Sequence, residues 1–481
     1  MSKHFFRKVA FGLNGIEKVP DNPLMWAKAQ IQKLPETSWN GPLFSDEMEG
    51  VKKAGELSVE RQKIQKKNKK NKDKQRKLIG ELNVKTGLDF YENAELSARH
   101  HACLHDNSPV FQRFVMFWGN HFALSKRFFL AEFTSGAYHR TVLQPHMIGN
   151  FTDLVEAATK SWSMIELLDN QYSTGPNSKW GKNNRTDSIN ENHGRELLEL
   201  HTVSPSIGYT QDDVVEITLA MTGWGKSQKP KSMGRFTPVK FIKERHEPGD
   251  RIILGKTYKA SVNGGQLRKI IEDLSSNDHT LRYISKKLCR HFITDEPNDE
   301  MVQHVVKAWQ TSQGQMIAIH EAVLEMAYKH AGTSHKFQQP EYWFLQVAKM
   351  SGANWPVKAD ELLKYDFTQE PSSTLTAPRD MLIELGQRPF QPSQPDGFAD
   401  NEESWVSPEY LIRRVGIVPQ LLRRSRRKKN RTEATITSAE MLNNVIMRNF
   451  DNDAEVISFL EAYPEKDRLS VFLASKWVLK V

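Results

Sequence analysis

Residues Asn190–His201 (NENHGRELLELH) hold the densest set of chemistry-bearing side chains in the sequence. At helical pitch Glu191, Arg195 and Glu199 fall four apart on one stripe, an acid–base–acid ladder of a kind that stabilises a helix surface by about 0.2–0.5 kcal/mol per pair. Glu196 lies one turn from Glu199, and Leu197, Leu198 and Leu200 supply an apolar face. Asn190, Asn192, His193 and His201 add further ligand-type side chains in the same short stretch. If the stripe faces inward, its charges must be paired or bound, because an unpaired buried carboxylate is very costly. Two readings satisfy that requirement. One is a structural ion-pair network. The other is a ligand or metal site in which Glu191, Glu196 or Glu199 serves as general base, its pKa tuned by its neighbours.

A metal would need ligands from elsewhere, since the His/Glu spacing matches neither HExxH nor the ExxH of di-iron bundles. His121, His146 and His201 are the candidates, with a carboxylate from Asp169 or the helix; a divalent metal is therefore one reading of the cofactor, which is otherwise unknown. His121 stands in a strongly apolar stretch, where a satisfied core histidine is the plainer alternative. Arg140 and Arg195 suit an anion, with bidentate geometry available to each, although Arg140 and Asp169 could equally pair with one another. Trp118, Asn120, Asn170 and Asn190 complete the candidate ligand-binding set, the asparagines implying uncharged hydrogen bonding beside the ion pairs. Ile252–Thr257 (IILGKT) resembles the end of a phosphate-binding loop, but Gly249 is one residue too far upstream and no helix follows, so the amide cradle would be missing. No G-x-S-x-G elbow occurs.

These residues need elements to hold them. Ser108-Pro109 reads as an N-cap followed by proline at the first helical position, opening an all-round apolar helix through Trp118, Asn120 and His121. Two helical pieces follow over 140–170, broken near Pro145 and Gly149-Asn150; 170–187 is a long polar loop. Ser188–Glu191 has the capping-box pattern for a helix to about Val203, and Thr210–Asp213 for the next, which Thr222-Gly223 stops. Residues 236–255 alternate as a small β-hairpin, and 265–350 return to helical period. The fold class expected is mainly α: one large helical domain with a small β-hairpin insertion, preceded by a helical segment over 1–45 and an exposed basic insertion over 46–80, either helical or disordered.

With 481 residues the chain can bury a sizeable core. The net charge of +9 is local. Arg61–Lys77 alone carries +9 and Arg423–Arg431 a further +7, so the remainder is mildly acidic. Such tracts could contact nucleic-acid phosphates, but neither interleaves aromatic residues for base stacking, and solvated segments are the plainer reading. No apolar run is long enough to span a membrane. The N-terminal segment lacks the apolar core of a signal peptide, and the two cysteines, Cys103 and Cys289, form no framework. A reducing, cytoplasmic setting is the expectation.

The same segments, in this order, resemble a bacterial family known as domain of unknown function 1800. The resemblance is carried by Phe11–Asn14, Phe117–Phe122 (FWGNHF), Arg140, Pro145-His146, Leu168-Asp-Asn170, Asn190–Thr202, Gly208–Thr210, Thr222-Gly-Trp224, His246 with Gly255, and Pro395-Asp-Gly397 with Trp405 and Arg413. It covers roughly residues 5–470. The basic stretch 61–77 is outside the shared pattern, and Ser161-Trp-Ser163 stands where the family usually has His-Pro-Ala. The resemblance implies no established activity. Members are often encoded beside a sulfatase-like family, which makes such a protein an expected partner. The expectation is an enzyme or ligand-binding protein with a polar cleft on helix 190–201; the alternative is a non-catalytic scaffold or maturation partner for that neighbour, and nucleic-acid binding is weaker still.

Overall fold

A helix that is apolar on all sides is stable only in the middle of a molecule. In the computed structural model of the chain, Pro109–His121 is buried at every residue except Asn120. Residues 3–39, 41, 43–86, 88–125, 130–185, 189–226, 236–353, 378–425, 438–451 and 454–481 are described. Helices His4–Ala10, Leu88–Leu104, Asp278–Phe292 and Met316–Lys329 pack against the central one. Its Phe114 stacks on Phe292 and His320 at centroid distances of 4.3 and 3.9 Å. The largest core gathers Phe114, Trp118, Phe151, Leu198 and Ile217; a second, around Trp343, Phe344, Leu421 and Phe472, joins it through Leu96 and Met116.

The architecture is mainly α, as the sequence implies. The β-hairpin expected over 236–255 is divided between two antiparallel ladders: Val239–Phe241 pairs with Trp224–Lys226, and Arg251–Ile253 with Lys256–Tyr258. The Thr210 capping box is present: Thr210 Oγ1 accepts from Asp213 N–H (3.2 Å) while Asp213 Oδ2 accepts from Thr210 N–H (2.8 Å). The other expected box, Ser188–Glu191, cannot be followed from its first residue. Ser188 lies outside the described residues, and the helix begins at Asn192, where Asn190 Oδ1 accepts from the Asn192 N–H.

Among the described residues, two five-residue π-helical turns interrupt the regular helices, one at His139–Leu143 and one at Leu197–His201. A π turn inserts an extra residue and is frequent at functional sites. Both fall on segments that carry candidate side chains. The second is closed by Thr202, whose hydroxyl donates to the Leu197 carbonyl at 2.6 Å.

The basic stretch 61–77 spans the end of helix Glu47–Lys67 and the start of Lys72–Thr86. The two form a helical hairpin, with Gln75 Nε2 donating to the Gln65 and Asn68 carbonyls at 3.0 and 2.8 Å. Its lysines face solvent. Of the second tract, 426–431 lie outside the described residues. The N-terminal helix His4–Ala10 is latched to 477–481: buried Arg7 donates through Nη2 to the Trp477 and Lys480 carbonyls at 2.5 and 2.6 Å. That segment pairs in turn with Lys336–Gln338, where Lys336 N–H donates to the Val481 carbonyl at 2.7 Å. No helix among the described residues is long and apolar enough to cross a membrane.

Candidate functional site

The second π turn brings some of the candidates together. His121, at the end of the central helix, is buried, and its ring lies 6.1 Å from that of His201. His121 Nε2 is 3.3 Å from the His201 carbonyl, which only accepts, so the proton is on Nε2 and Nδ1 is an acceptor. Lys287 Nζ donates to that Nδ1 at 3.1 Å. Burial, then the nearby Lys287 charge, hold His121 far below the ordinary histidine pKa. His201 is pushed down to about 3 by the same two causes. Both rings are therefore neutral at pH 7. His193, also fully buried, is pushed down to about 3 by burial and by His201.

Above these histidines the carboxylates differ sharply. Glu191 accepts from Arg195 Nη2 (3.1 Å) and Gln211 Nε2 (2.7 Å), so this part of the ladder is the ion-pair network. Glu199 accepts from the Tyr209 hydroxyl at 2.8 Å. Glu196, half-buried, has no hydrogen bond or ion pair among the described residues. Burial, and then the charges of Glu199 and Asp396, raise its pKa to about 7. Lys287 is likewise without a carboxylate partner among the described residues, and burial lowers its pKa to about 8 against the pull of Asp400 and Asp396. Its ammonium lies 5.5 Å from the centroid of the Tyr283 ring. Tyr283 itself is raised to about 12 by burial, Asp396 and Glu199.

Asp396 is the common neighbour of Glu196, Tyr283 and Lys287, and Asn120 holds it there. The Asn120 carboxamide accepts from Phe398 N–H (2.7 Å) and donates to the Phe398 carbonyl (3.0 Å). Gly397, at φ +88°, has no room for a side chain: a Cβ would stand 2.3 Å from the Asn120 carbonyl oxygen. The contribution of Asn120 is thus to position the loop that carries Asp396.

The remaining candidates lie elsewhere. Arg140 does not join the histidines. It forks onto buried Glu95 at 3.2 and 2.8 Å and donates to the Phe44 carbonyl at 2.5 Å. Nor does it pair with Asp169, whose carboxyl is raised by burial and by Glu166. His146 is lowered by burial, with Asp153 and Glu156 as its charged neighbours. Among the described residues no three His, Cys, Asp or Glu side chains are arranged to hold a metal, so His121, His146, Asp169 and His201 do not form the expected ligand set. Trp118 is core, its indole donating to His320 Nε2 at 2.9 Å. Asn170 is buried and donates to the Met221 and Trp224 carbonyls. Asn190 caps Asn192 and exchanges backbone hydrogen bonds with the Ser173 hydroxyl.

Sequence reasoning missed Lys287, Tyr283 and Asp396. Asp396 carried a signal, since it lies within Pro395-Asp-Gly397. Tyr283 and Lys287, four apart on an ordinary amphipathic helix, carried none.

The geometry defines a helical protein with a partly buried polar cluster beside neutral, buried histidines. The chain belongs to the family described as protein of unknown function (DUF1800), whose model matches residues 4–471. No curated protein and no solved structure matches the chain.

Proposed function

We propose that the protein is an enzyme acting on a small polar substrate, with Glu196 as general acid–base and Lys287 as the cation that meets negative charge on the substrate. One observation carries this reading. A carboxyl raised to about 7 and a lysine lowered to about 8, neither in an ion pair among the described residues, share the neighbour Asp396. Groups poised near the working pH are what proton transfer needs, since each protonation state is then well populated. A purely structural network would pair Glu196 and Lys287, as it pairs Glu191 with Arg195. Tyr283, Glu199 and Asp396 set the electrostatic field around them, and the neutral His121 fixes the lysine. Partial exposure of Glu196, Glu199 and Tyr283 gives a substrate access.

Thermal-shift screening of the purified full chain against small carboxylates, phosphates, sugars and amines tests the reading. At least one class should raise the Tm of the wild type. Glu196→Gln and Lys287→Met should each abolish that rise while the ligand-free Tm stays within a few degrees. No stabilisation by any class, with tight co-purification of a partner protein, would favour the scaffold or maturation role instead.

A further inference from the structure

Between helices 88–104 and 109–121 and the first π turn lies a cavity of about 160 Å³, lined by a set of residues separate from the acid–base cluster. Glu36 and Thr37, both exposed, form its outer rim, so it has a route to solvent. Ala98, Ala102 and Val115 give it an apolar wall. Some of the polar residues that line it leave hydrogen-bonding capacity unused. Arg99 is committed to Glu341, to which its Nη2 donates at 2.5 Å. His139 Nδ1 is buried against Gly119, which is not part of the cavity wall. The carboxamides of Gln112 and Gln144 form no hydrogen bond among the described residues.

The Arg99 and His139 side chains are rigidly held. The Arg99 guanidinium stacks 3.9 Å from the Phe390 ring centroid, and the His139 ring meets the same ring edge-on at 5.3 Å. His139 is wedged against Gly119, where a Cβ would come within 2.4 Å of the imidazole. The π turn at His139–Leu143 places His139 and Arg140 both in the cavity wall.

Charge and size narrow the ligand. Arg99 is paired with Glu341 and Arg140 with Glu95, and burial keeps His139 neutral, so the inner wall is charge-balanced. An ionic ligand would have to break a buried pair or be buried uncompensated, and both are expensive. Apolar cavities of about 150 Å³ accept benzene-sized molecules. The groups left open are the carboxamides of Gln112 and Gln144, which together complement a donor–acceptor pair on one ligand. We propose that this cavity binds a small uncharged ring amide, its carbonyl accepting from one glutamine carboxamide and its N–H donating to the other.

Saturation-transfer NMR on the full chain, with benzamide as probe and benzoate as its charged isostere, tests this at pH 7.5. Benzamide should bind at least tenfold more tightly than benzoate. Ala102→Leu, which fills the wall, should weaken benzamide at least tenfold. Glu36→Trp, which narrows the mouth from an exposed position, should do the same and carries the test alone if Ala102→Leu does not fold. Absence of benzamide binding, equal binding of benzoate, or binding untouched by Glu36→Trp would overturn the proposal.

Discussion

At the scale of single residues, Glu196 and Glu191 are near neighbours on one short helical stretch but chemically far apart. Glu191 sits four residues before Arg195 and pairs with it, whereas Glu196 faces Glu199 and Asp396 and resists ionisation. Its folded pKa is raised, so the stability it contributes is complete below the ordinary value of 4.5 and is lost as pH rises through about 7. Carboxyl-carbon NMR should place its titration near 7, and Asp396→Asn should move it measurably towards 4.5. A midpoint near 4.5 in the wild type would remove the acid–base assignment. The ladder was legible in sequence because i,i+4 spacing is a local property. Which carboxyl escapes pairing was not, since Asp396 arrives from two hundred residues away.

At the scale of elements, the central helix, the Thr210 capping box and the glycine stop at Gly223 follow from local patterns of apolar spacing, side-chain caps and a positive φ. The π turns do not. Their sequences, HRTVL and LLELH, read as ordinary helix, and the extra residue answers to packing that periodicity cannot report. The loop 395–398 has the same character: Pro-Asp-Gly is visible, but its docking on Asn120 is not. Gly397→Ala should cost about 1–2 kcal/mol for the left-handed backbone alone, and more for the clash with Asn120. The same variant should lower the Glu196 pKa by moving Asp396 away. Chemical denaturation and the NMR titration read the two effects separately; an unchanged Glu196 midpoint in a destabilised variant would break the link between loop and site.

At the scale of the whole molecule, histidines are buried in unusual company. His121, His139, His193, His201 and His320 all lie in the interior, and burial lowers each pKa, in four of them to about 3. A depressed pKa gives stability that is complete above the unfolded value of about 6.5 and is lost as pH falls. Each such ring contributes up to about 1.4 kcal/mol per pH unit below that value. Urea titrations should therefore show stability falling steeply from pH 6.5 to 5. His320→Gln, beside Trp118, should make the fall shallower, and a flat profile over that range would mean that the interior histidines are accessible to protons.

The latch between Arg7 and residues 477–480 has a consequence during synthesis. The carbonyls that receive this buried guanidinium are made some 470 residues after it. At translation rates of about 5–20 residues per second, that is a delay of roughly 25–95 s. Throughout that interval Arg7 lacks the two carbonyls that hold its guanidinium in the fold, so the docking of helix His4–Ala10 is completed only after residues 477–480 have been made.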